Sequence, residues 1–236
     1  MIILREPHRR LALTQAGVGW KEVLSDPPRH WRDNPATDRL ANMWASSAPD
    51  LPAEVCSAWL GTPFENFQPT VTIPAYEVEM PGGWQPVPND ILIVGVIGEE
   101  LGIVMVQGKV GDSLGSSVGE VLHNPLPGKL RRIGFLADVL ELPDQIPGST
   151  CYHLLDRAAC PLIEARRLGA DYAAMIVTVF GSAPRCHEEF RAFARLCGAN
   201  GEEGRLERLP AHENPELWIA WVDGPEPSPA GIGTSH

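Results

Sequence analysis

Residues 89–115 read NDILIVGVIGEELGIVMVQGKVGDSLG, and this stretch decides the fold. Its two runs, Ile91 to Ile97 and Ile103 to Val106, are continuously apolar rather than alternating, as in strands buried on both faces. Between them Gly98-Glu99-Glu100-Leu101-Gly102 supplies turn chemistry, because glycine tolerates positive φ and the glutamates prefer water. The expectation is a central β-hairpin. Asp90 opens its first strand, and Gln107-Gly108-Lys109 closes its second. If Gly98 pairs with Leu101 across a two-residue turn, Asp90 falls opposite Lys109, and Gln107 shares the Lys109 face. The three polar residues then converge at one strand end. A one-residue shift in the turn would send Lys109 to the other face unless a bulge restored it.

Working outward, Asp38 to Ser47 places Leu40, Met43 and Trp44 at helical spacing with Thr37 as N-cap, and Pro52 to Leu60 starts a second short helix. Val71 to Ile73 or Tyr76 to Met80 supplies an edge strand before the hairpin. After Lys109 comes a small-residue loop, then a helical stretch from Ile133 to Leu142. The strongest helix runs from Cys151 to Leu168, with Thr150 as its cap and Pro161 either kinking it or dividing it in two. Ala173 to Phe180 reads as a buried strand, His187 to Leu196 as a helix and Leu217 to Val222 as a last strand. This order gives an α/β fold with a mixed central sheet flanked by helices. Residues 1–35 read as an N-terminal arm or cap, 36–223 as a single domain and 224–236 as a flexible tail.

The 236 residues, 44% of them apolar, suffice for one full core. A formal charge of -11 argues against a broadly basic nucleic-acid-binding surface, so any polyanion site is local. Lysine occurs only as Lys21, Lys109 and Lys129, which singles out a lysine at the end of a buried strand. The five cysteines include no C-x-x-C pair and fit reduced thiols. No apolar leader opens the chain, and no run of about 18 apolar residues could span a bilayer, so a soluble cytoplasmic protein without membrane contact is expected.

The element order, with Asp90 on one hairpin strand and Gln107-x-Lys109 on the next, resembles the PD-(D/E)XK nuclease superfamily in its D…QxK variant, as in Mrr-type restriction endonucleases. The resemblance covers residues 38–182. It implies a restriction-endonuclease-like core and hydrolysis of DNA or RNA phosphodiesters with Mg²⁺. Asp90 and Gln107 would be metal ligands, and Lys109 would position or polarise the attacking water and the phosphate. Gln107 stands where most members carry a carboxylate; an amide oxygen can bind Mg²⁺ but brings no charge, so another carboxylate would have to help. Glu54 is that candidate by analogy, with Asp112 and Glu120 as others. Lys129, Arg131 and Arg132 offer a local phosphate-binding patch. HWRDNP, QGKVGDSLG and YHLLDRAACPLIEARR also resemble an uncharacterised bacterial family of unknown function.

Each of these residues also has a plainer explanation. Asp90 and Lys109 suit ordinary sheet ends, Glu54 suits the first turn of a helix, and the basic trio suits a solvated helix start. Cys186, His187, Cys197 and His212 match no zinc pattern, and the segment around Lys109 lacks the spacing of a P-loop. Two alternatives to a nuclease follow: an inactive relative of that fold serving as a binding or regulatory module, and an unrelated α/β interaction protein. The second requires Asp90 and Lys109 to lie apart or on opposite sheet faces.

Overall fold

The computed structural model describes residues 35–47, 50–83, 85–111, 114–143 and 145–226. The arm or cap expected over residues 1–35, apart from Pro35, lies outside them, as do the tail from residue 227 and Asp112.

The chain enters through α1 (Pro35–Ser47) and α2 (Ala53–Ala58), then a 3₁₀ turn at Pro63–Asn66. Three strands follow, β1 (Phe67–Val78), β2 (Val87–Ile97) and β3 (Glu100–Val110). Next come α3 (Val118–His123), α4 (Pro127–Val139), α5 (Tyr152–Leu168) and β4 (Tyr172–Phe180). The last elements are α6 (Pro184–Leu196), β5 (Leu206–Leu209) and β6 (Glu216–Asp223). The six described strands form one mixed sheet in the order β1-β2-β3-β4-β6-β5. β1, β2 and β3 run as an antiparallel meander, β4 and β6 continue parallel to β3, and β5 closes the edge antiparallel. The expected α/β fold with a mixed, helix-flanked sheet is therefore present.

The sheet separates two cores. On one face Ile91, Ile93, Val104, Val106 and Ile176 pack under α1 and α2 through Leu40, Trp44, Val55 and Trp59. On the other, Leu92, Val94, Ile103, Met105 and Val177 pack under α5 and α6 through Leu155, Ala159, Leu162 and Phe190. This two-sided burial explains the unbroken apolar runs of the hairpin. At the turn end of the hairpin, Gly95 and Gly102 leave room for the Phe67 ring, which packs edge-on to Trp59.

Several boundaries differ from expectation. α1 begins two residues before Thr37, so Thr37 lies in its first turn rather than capping it. α4 starts at Pro127, which is suited to an opening helical turn by its fixed φ and absent N–H. α5 is capped by Cys151 rather than Thr150 and continues unbroken through Pro161 to the left-handed Gly169. α3 occupies what the sequence suggests is loop. It is opened by a capping box in which Ser117 and Glu120 satisfy each other's backbone N–H groups.

Candidate functional site

The hairpin turns at Gly98-Glu99, with Ile97 paired to Glu100. This differs from the expected Gly98–Leu101 pairing. Continued regularly, it would set Asp90 opposite Gln107 rather than Lys109. Regular pairing of β2 with β3 instead stops at Ile91–Val106.

Beyond that point the alternation of β2 breaks. Val87 and Leu92 belong to the α5-side core, whereas Ile91 belongs to the α1-side core. Asn89 keeps to the α5 side, where its carbonyl accepts a 3.2 Å hydrogen bond from Gln107 Nε2. Asp90 turns to the α1 side together with Ile91. Its Oδ1 accepts from the Thr37 hydroxyl at 3.1 Å, and its Oδ2 accepts from the Gly108 backbone N–H at 2.8 Å. A matching break occurs on β1, where Ile73, Tyr76 and Val78 all meet the α5-side core. Ala75, between them and level with Asp90, has a left-handed φ of 52°. A non-glycine residue takes that conformation only at a steric cost, so the surrounding structure must hold it there.

β3 keeps its alternation. A side chain at Gly108 would meet Ala36 and Leu40 of α1, so Gly108 faces α1 and its neighbours Gln107 and Lys109 face α5. Lys109 is half-buried, and its charge reaches the Cys151 thiol at the start of α5. The sheet therefore carries two polar groups back to back: Thr37, Asp90 and Gly108 on the α1 face, and Asn89, Gln107 and Lys109 on the α5 face. The expected convergence of Asp90 with Gln107 and Lys109 is not what the structure shows. Among the described residues, no ion pair or hydrogen bond joins Asp90 to Lys109.

The α5-side group is neutral apart from its lysine. Gln107 is 6% exposed and Asn89 2%, and each amide serves the other. The Asn89 side chain also reaches the Cys160 thiol of α5; burial nevertheless pushes Cys160 up to about 12. Cys151 is likewise raised, by burial first, with the Lys109 charge opposing. Both thiols stay protonated at neutral pH and act as packing groups.

The remaining expected residues are dispersed. Glu54 lies in the first turn of α2, a helix that packs on β6 and leads to Trp59 at the opposite end of the sheet from Asp90. Glu120 is held in the α3 capping box, where the Ser117 backbone and side chain keep its carboxyl below the usual range. Arg132 does not offer its guanidinium to phosphate. It is 5% exposed and donates to the carbonyls of Pro81 at 2.7 Å, Met80 at 3.0 Å and Gln85 at 3.5 Å, fastening the loop before β2. Lys129 lies 4.7 Å over the Tyr152 ring, and Arg131 is exposed. Among the described residues, no three His, Cys, Asp or Glu side chains gather as metal ligands.

A concave surface lies two strands away. Lys109, Val179 and Asp223 form one row across β3, β4 and β6. Over the C-terminal ends of β4 and β6 opens a crevice of about 400 Å³, lined by Gly181, Ser182, Trp221, Asp223, Glu203 and Glu226, among others. Open α/β sheets bind ligands at such strand ends. Glu203 Oε1 lies 3.0 Å from His187 Nδ1, and Asp223 accepts from the Trp221 indole at 3.1 Å. Sequence reading took Thr37 only as a helix cap and missed Asn89 and these lining residues. Asn89 is the immediate neighbour of Asp90, and the break in β2, level with Ala75, sets Asn89 rather than Asp90 beside Gln107.

Comparison with known families adds one match, to a domain of unknown function, DUF6946, over residues 14–226. The chain belongs to the DUF6946 family. That match agrees with the resemblance to an uncharacterised family, and DUF6946 itself carries no assigned activity. No curated protein and no solved structure matches the chain. Among the described residues of this DUF6946 domain, no helix is long and apolar enough to cross a membrane.

Proposed function

We propose that this domain is a binding module without metal-dependent hydrolysis at the Asp90 end: the separation of Asp90 from Lys109 meets the condition for an α/β interaction protein unrelated to nucleases, while the element order favours an inactive relative of the restriction-endonuclease-like fold. The observation that carries this reading is the division of the motif. Both Asp90 oxygens accept hydrogen bonds that tie α1 to β3, while Gln107 and Lys109 stand on the other face with an asparagine amide where a metal site would need a carboxylate. Metal-assisted phosphodiester cleavage needs the carboxylate, the metal and the ammonium around one phosphate. The ligand seat in this reading is the crevice at the ends of β4 and β6. Its lining includes three carboxylates and no lysine or arginine, which favours a ligand carrying positive charge over a nucleic acid.

A second reading, a Mg²⁺-dependent nuclease acting on DNA or RNA, is favoured by the topology. A helix, an antiparallel meander, a long helix and a strand parallel to the third is the element order on which the nuclease resemblance rests. Calorimetric titration of Mn²⁺ into wild type and Asp90→Ala, with plasmid nicking under the same conditions, separates the two. The binding module predicts no Asp90-dependent binding and no nicking, together with a lower melting temperature for Asp90→Ala. Saturable Mn²⁺ binding and nicking that both vanish in Asp90→Ala would establish the nuclease.

A further inference from the structure

A single exposed leucine among acidic residues and a cluster of exposed leucines among basic ones lie on opposite faces of the sheet. The first is Leu60, at the end of α2 and 67% exposed. Residues 50–66 around it carry Asp50, Glu54 and Glu65 and no lysine or arginine. Glu65 is held beside Leu60 by a 2.8 Å hydrogen bond from the Gly61 N–H, and one turn earlier the Cys56 thiol is raised by burial first and then by the charges of Asp50 and Glu54. The second patch is formed by Leu122, Leu126 and Leu130, which are 39%, 67% and 50% exposed. Leu126 and Leu130 occupy one side of the first turn of α4, where the Leu130 N–H donates to the Leu126 carbonyl. Residues 121–134 contain no Asp or Glu, and Lys129 and Arg131 are exposed beside the leucines.

Half of the large exposed apolar side chains among the described residues, three of six, thus fall within nine residues of a chain whose net charge is -11. Clustering of this kind marks an interaction surface, and a surface that covers it must bring an apolar side chain among negative charges, as Leu60 among Asp50, Glu54 and Glu65 does. The acidic leucine patch belongs to α2, which packs with α1, and the basic one to α3 and α4, which pack beside α5. A single copy cannot bring them together.

We propose that the basic leucine patch at residues 122–131 docks the acidic Leu60 patch of a second copy of this chain. Each contact sets leucine on leucine with Lys129 and Arg131 facing Glu54, Glu65 and Asp50. Because the two surfaces differ, the contact is heterologous. It leaves a free patch at each end of a dimer and propagates into a ring or a short filament.

Sedimentation equilibrium of the full chain over a range of concentrations at low salt tests this, with Leu60→Lys and Leu126→Asp as variants. Wild type is expected to show an average mass that rises with concentration and falls back at high salt, as screened charges require. Each variant alone is expected at monomer mass, because each opposes like charge across the contact. Mixed in equal amounts, they are expected to form a species of twice that mass and no larger: Leu60→Lys keeps an intact basic patch and Leu126→Asp an intact acidic one. A wild type that stays monomeric throughout, either variant associating like wild type, or a mixture that stays monomeric would overturn the proposal. Circular dichroism checks folding, and Leu60→Ser replaces Leu60→Lys if the lysine unfolds α2.

Discussion

The two faces of the sheet at the start of β2 handle neighbouring residues in opposite ways. On the α1 face, Asp90 is an acceptor between elements, drawing Thr37 of α1 and Gly108 of β3 onto one carboxylate. On the α5 face, Asn89 and Gln107 form a neutral amide pair under Cys160. A buried carboxylate beside Gln107 would need its own compensating donors, whereas an amide satisfies and is satisfied. The contrast shows how one broken alternation, level with Ala75, sets neighbouring polar side chains on opposite faces of the sheet.

The strongest way to break this comparison is Asp90→Ala, which leaves the buried Gly108 N–H without its acceptor and releases Thr37. It is expected to cost about 3 kcal/mol, read as a lower urea midpoint with unchanged slope. Ala75→Val comes next, since a β-branched residue fits a φ of 52° poorly; a loss of about 2 kcal/mol is expected in the same measurement. Gln107→Leu leaves the Asn89 carbonyl unpaired while keeping the volume filled, and about 1 kcal/mol is expected. If Gln107→Leu cost more than Asp90→Ala, the α5-side pair would be the structural joint and Asp90 the dispensable group.

The smallest effect lies away from the start of β2 and gives the comparison a reference. His212 is buried 3.8 Å from Glu141, and burial lowers its pKa below 6.5 despite that carboxylate. The unfolded chain therefore binds the proton more readily. Stability is full above pH 6.5 and declines as pH falls from 6.5 toward the folded value. His212→Phe is expected to flatten that slope in melting temperature, whereas Asp90→Ala is expected to lower the curve without removing it.

The hairpin, the long helix and the two later parallel strands were legible because apolar runs and helical spacing act within one segment. α3 was legible in principle from Ser117-x-x-Glu120, whose reciprocal capping is a local signal. The division of Asp90 from Gln107 and Lys109 was not. It goes with a left-handed Ala75, a strand away, in a conformation that nothing in Pro74-Ala75-Tyr76 requires. Arg132 was misread for a related reason: a basic residue near a helix start resembles a solvated charge until the carbonyls of Met80, Pro81 and Gln85 fold over it.

The most direct test of Asp90 as a structural acceptor is amide NMR of the Gly108 N–H during titration with Mn²⁺. Buried itself and bonded to the half-buried Asp90 carboxylate, that amide is expected to exchange slowly with solvent, to keep its line width as Mn²⁺ is added and to lose protection in Asp90→Asn. Selective broadening of the Gly108, Asn89 and Asp90 amides at low Mn²⁺ would place the ion on that carboxylate and contradict it.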